Sequence, residues 1–100
     1  MIIERMIQQI KPNKWHELET IDKKYDKVEK RLGFPPKKRY RCLTGGHNTD
    51  TLIIERQWES LAAMEATYNK AFVDSEHQAL SEESALIIKS NQVEIYMPLQ

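Results

Sequence analysis

Residues 41–58 read RCLTGGHNTDTLIIERQW, two alternating apolar segments on either side of TGGHNTD. Whether that middle segment is a ligand loop or a bend decides the architecture. A phosphate-cradling loop delivers its backbone amides at a helix N-terminus that follows a strand. Here the following segment, TLIIERQW, is β-branched and alternating, which suits a strand. Gly45 and Gly46 tolerate positive φ, and Asn48 and Asp50 can bond their own backbone. His47 has no second histidine at a chelating step. The segment is a hairpin bend, with strands predicted near 38–44 and 51–58.

Upstream, MIIERMIQQI is an isoleucine-rich strand over residues 1–10. Pro12 suits the first position of a helix, in which Trp15, Leu18, Ile21, Tyr25, Val28 and Leu32 form one apolar stripe. Gly33 stops it, and Pro35 and Pro36 forbid continuation. Downstream, Ser60 caps a second helix carrying Leu61, Met64, Tyr68, Ala71 and Phe72 on one side. Residues 75–78, SEHQ, have capping-box spacing and open a short third helix. ALII at 85–88 fits either the end of that helix or an extended piece, and the last strand is predicted over residues 92–98. The order β-α-β-β-α-(α)-β defines an α+β, ferredoxin-like split βαβ domain over residues 1–100, an antiparallel sheet with its helices on one face.

Composition excludes several classes. The 100 residues carry no formal net charge, which argues against broad phosphate-backbone binding. The basic run at 37–41 is explained by a solvated strand edge, and the strands lack the aromatic pattern of RNA-recognition domains. Cys42 is the single cysteine, so neither a disulfide nor a cysteine zinc cluster is expected, and its place on a strand predicts a buried, inert thiol. The apolar N-terminal run contains Glu4 and Arg5 and is too short to span a membrane. A cytoplasmic location is the default expectation.

Alternation leaves one sheet face without helices. It is expected to mix Ile3, Ile7, Leu43, Ile53 and Tyr96 with Arg39, Arg41, Glu55 and Glu94. A face that oily and that charged is expected to pair with its twin in a homodimer, arginines meeting glutamates.

Three features carry a family resemblance: the strand feeding KPNK at 11–14 and a long helix, the strand-to-helix junction ERQWESLAAM at 55–64, and His77 ahead of a final VEIY. With these, the chain resembles the dimeric α+β barrel proteins, in particular the NIPSNAP family and antibiotic-biosynthesis-monooxygenase-like proteins. The resemblance implies a homodimer with a pocket between helices and sheet, lined by Trp58, Tyr68 and His77, for a small apolar or aromatic molecule. It also implies a monooxygenase-like reaction as one activity. For Trp58, core filling is the alternative role; for His77, a half-buried or solvated histidine without function. Haem-degrading relatives ligate iron through a histidine matching His77, but Thr67 stands where they have tryptophan, and Arg5 or Met6 where they have asparagine. No cofactor or metal is therefore assigned. A non-catalytic dimeric interaction or regulatory module is the alternative function.

Overall fold

The computed structural model describes residues 1–99. Its elements are β1 (Ile2–Ile10), α1 (Trp15–Leu32), β2 (Lys37–Arg41), β3 (Thr51–Trp58), α2 (Leu61–Phe72), α3 (Ser75–Ser84) and β4 (Ile88–Tyr96). All strand pairs are antiparallel and the sheet order is β2-β3-β1-β4, which is the ferredoxin-like arrangement. Residues 42–50 form the predicted bend. Gly45 takes φ 128°, and Asn48 Oδ1 accepts the Asp50 N–H at 2.9 Å.

The main core lies between α1 and the central strands. Leu18, Ile21 and Val28 of α1 pack with Ile10, Leu52, Ile54, Leu80 and Ile87, while Trp15, Tyr25 and Leu32 flank them. The stripe read from the sequence is thus the buried face. Helix α1 starts at Trp15 rather than beside Pro12, which lies in a turn with Asn13 at φ 64°. It ends in a Schellman motif: Gly33 is left-handed at φ 90°, its N–H bonds Lys30 O, and the Phe34 N–H bonds Glu29 O at 2.9 Å. That motif turns Phe34 inward, where it is 8% exposed.

Several expectations are corrected. The first N-cap of α3 is Asp74, one residue before Ser75, and its Oδ1 accepts the His77 N–H at 2.9 Å. Phe72 and Leu61 are exposed rather than inward, because only Ala71 of α2 is buried. Strand β4 begins four residues earlier than predicted, at Ile88. Cys42 lies just past β2, half-buried, its thiol beside the carbonyls of Thr44 and His47.

The largest correction concerns the uncovered face. Arg39 and Arg41 are paired in register with Ile54 and Leu52, so they point to the helix side. Arg39 grips Glu19 of α1 through two bonds of 2.9 Å, and Arg41 lies 4.1 Å from the Trp15 ring. Leu43 lies beyond β2 and is fully solvated. The cations on the uncovered face are Arg5, in register with Glu55 on one side and Glu94 on the other, and Lys38, also in register with Glu55. Ile3, Ile7, Ile53, Glu55, Glu94 and Tyr96 do lie on that face by the same register.

Asp74 also ties α1 to α3, since its Oδ2 lies 2.8 Å from Arg31. The Arg31 guanidinium, and then the His77 backbone N–H, lower its carboxyl from 3.8 to about 2. A depressed carboxylate stabilises the fold above its unfolded pKa and loses that contribution as pH falls through the folded value. Asp74→Asn keeps the cap and removes the charge. Its melting temperature is expected to fall less than that of the wild type as pH drops from 3.8 towards 2. Equal falls in both proteins, followed by circular dichroism, would rule out this contribution.

Candidate functional site

Between the helices and the sheet lies a cleft of about 430 Å³. Met6, Leu52 and Ile54 form its apolar floor, Leu18, Ile21 and Tyr25 of α1 one wall, and His77, Ser81 and Ser84 of α3 another. Farther along β4, Val93 and Ile95 remain about half exposed despite facing the helix side.

A chain of charges runs along one flank. Glu4 and Arg56 are register partners on β1 and β3, only 3% and 4% exposed. Glu4 accepts the Trp58 indole N–H at 3.1 Å and the Tyr68 hydroxyl at 2.5 Å, and lies 3.9 Å from Arg56. Arg56 bonds Glu29 of α1, and Glu29 bonds Lys37 at 2.9 Å. Lys37 continues to Asp22 at 2.7 Å, and Arg39 links Asp22 to Glu19. Opposite charges alternate along the whole series. Such pairing is what keeps buried ions tolerable, since an isolated one would be strongly disfavoured. The Arg56 Nε, sealed from solvent, has no acceptor among the described residues.

Burial alone would lower the Lys37 ammonium, but the charge of Glu29 and the bonds to Asp22 and Glu29 outweigh it, and its pKa is raised. Burial, reinforced by Glu4, pushes the Tyr68 hydroxyl well above its ordinary value, so Tyr68 is a fixed donor rather than an acid. Burial also lowers His77, against the opposing pull of Glu29 and Asp74. The shift favours the neutral imidazole. Neutral imidazole can accept or donate a hydrogen bond, or move a proton.

Trp58, Tyr68 and His77 are brought together, and Phe34 is the hub. Its ring lies 5.7 Å from Trp58, 5.2 Å from Tyr68 and 6.3 Å from His77, stacking on the last and edge-on to the others. Tyr25 meets His77 edge-on at 5.6 Å. Tyr68 and His77 line the cleft, whereas Trp58 lies behind them in a second core cluster with Phe34 and Ala71. His16 and His47 are exposed and remote from this group. No group of three His, Cys, Asp or Glu side chains able to hold a metal occurs among the described residues.

Phe34, Glu4, Arg56, Glu29 and Lys37 escaped the residue-by-residue reading. Two signals pointed at some of them. Phe34 follows the helix-stopping glycine, where an inward apolar contact is common. Glu4 and Arg56 are opposite charges that interrupt inward-facing strand positions. Nothing local marks Glu29 or Lys37, which bond each other across eight residues and whose other partners, Arg56 and Asp22, are 27 and 15 residues away.

No protein-family model matches the chain, and no curated protein matches it. Solved structures do. A NIPSNAP family protein from Agrobacterium tumefaciens superposes with TM-score 0.84 at 20% identity, over 99% of this chain and 86% of the other. An uncharacterised NIPSNAP-like domain protein from Burkholderia xenovorans gives 0.82 at 15% identity, over 99% and 85%. An antibiotic biosynthesis monooxygenase gives 0.73 at 9% identity over both entire chains. The chain therefore has the ferredoxin-like α+β fold found in NIPSNAP family proteins and in antibiotic biosynthesis monooxygenase.

Proposed function

We propose that the chain is a homodimeric NIPSNAP-like protein that binds a small apolar or aromatic molecule in the helix–sheet cleft. The observation that carries this reading is the cleft itself: about 430 Å³, apolar beneath, and lined by the contacting rings of Tyr25, Phe34, Tyr68 and His77. Binding pockets typically combine such a lining with a few fixed polar groups. A monooxygenase-like reaction is the activity to assay, on the strength of the shared fold, with His77 as the group that would move a proton. Small aromatics should raise the melting temperature saturably, and Ala85→Trp, which fills the mouth from an exposed position, should abolish the rise. A panel of aromatics that leaves the wild type unmoved would refute the binding role.

The dimer is supported by the uncovered face, where Tyr40 and Tyr96 are 49% and 43% exposed beside Arg5, Glu55 and Glu94. Sedimentation at micromolar concentration should give twice the chain mass of 11.8 kDa, and the single-chain mass would refute it. The second reading, a dimeric module without catalysis, is favoured by one feature. Lys37, Arg56, Asp22 and Glu29, charged groups on the cleft, already have partners, so none is a free acid, base or nucleophile. A dimer that binds none of the aromatics would support it.

A further inference from the structure

At the end of the cleft away from His77, Gln8 of β1 and Asn91 of β4 are register partners. Both point to the helix side, as Glu4 and Met6 do, and as paired antiparallel residues they have Cβ atoms about 5 Å apart, within reach of one ligand group. Gln8 is 9% exposed, yet its amide has no hydrogen-bond partner among the described residues. Unlike the sealed Arg56 Nε, it does not belong to the wholly enclosed polar atoms without a partner. A buried amide left unpaired in an apolar setting is disfavoured and is normally satisfied. The Gln8 amide still reaches the open cleft, where water satisfies it and a ligand oxygen could take that water's place.

We infer that Gln8 and Asn91 form the polar anchor of the cleft and select an uncharged ligand carrying a carbonyl or hydroxyl oxygen on an apolar or aromatic body. Two facts give this chemistry. A carboxamide pair offers donors and acceptors but no charge, so it serves a neutral oxygen better than a carboxylate or ammonium. The buried charges near the cleft are engaged with one another, Arg56 with Glu4 and Glu29 and Lys37 with Asp22 and Glu29, while Lys89, which also lines the cleft, is exposed and its charge is screened by water. A charged ligand would be desolvated there with only the water-screened Lys89 ammonium as a counter-ion. Next to the anchor, Met6, Leu52 and Ile54 receive the apolar body.

This inference rests on the binding role proposed above, and the test separates the two. Three probes of one shape are titrated into the full chain: naphthalene, 2-acetylnaphthalene and 2-naphthoate. The wild type should bind the ketone about tenfold more tightly than the hydrocarbon, the worth of one hydrogen bond to a buried partner, and the anion more weakly than the ketone. In Gln8→Leu the ketone-to-hydrocarbon ratio should fall to about one, because the leucine strengthens apolar contact and removes the anchor. Asn91→Leu, at an exposed position that spares the core, should lower the same ratio. Since each ratio is internal to one variant, a partly unfolded fraction cancels. Naphthalene binding with an unchanged ratio in both variants would overturn the anchor and leave the binding role standing. Naphthoate binding as tightly as the ketone would also overturn it. Failure of all three probes to bind would overturn both.

Discussion

Arg56→Met is expected to destabilise the fold by about 3–5 kcal/mol, the effect of removing one member of a buried ion pair. Arg56 is 4% exposed and stands between Glu4 and Glu29. Methionine fills similar space but leaves two carboxylates facing each other without the cation that separates them. Each kcal/mol lowers the melting temperature of a domain this size by about 4–8 °C. The variant should therefore be largely unfolded at temperatures where the wild type is intact, and a urea titration would measure the loss. A loss below about 1 kcal/mol would mean that the ion chain is dispensable to stability.

Trp58→Ala should cost about 3–5 kcal/mol through the cavity it leaves between Phe34, Ala71 and Tyr68. A further loss comes from Glu4, which then keeps only the Tyr68 hydroxyl as a hydrogen-bond donor. Trp58→Phe separates the two effects, because it retains most of the packing and removes only the indole N–H. The double variant with Arg56→Met should cost less than the sum of the single ones, since both changes act on the same carboxylate. Strict additivity in urea titrations would show that Glu4 does not couple them. If instead Trp58→Ala left stability intact and abolished aromatic binding, its place would be in the cleft lining rather than in the core.

The sheet order and the helices were legible because period and punctuation agree in this chain. The α1 stripe, Gly33 and the GGHN bend each point to the same element boundaries. The site was half legible. Tyr68 and His77 were placed on the cleft through family likeness, and Trp58 was found one layer behind it. What stayed hidden was long-range. The alternation of β2 can be read in either register from sequence, and a one-residue choice moves every side chain to the opposite face. Pairing with β3 settles it: Arg39 sits opposite Ile54, under α1, and the uncovered face takes Lys38 and Tyr40 instead. The charges of α1 could not disclose their partners, because Asp22 and Glu29 look solvated until Lys37 and Arg56 are brought beneath them.

The place of β1 in the middle of the sheet has a kinetic consequence. Its neighbours are β3, some fifty residues later, and β4, which follows β3 in the chain, so β1 has one flank unpaired until residues 88–96 exist. Long-separation pairings of this kind slow folding, and an isoleucine-rich strand waiting with an open edge is a natural target for chaperones or for stray association with other nascent chains.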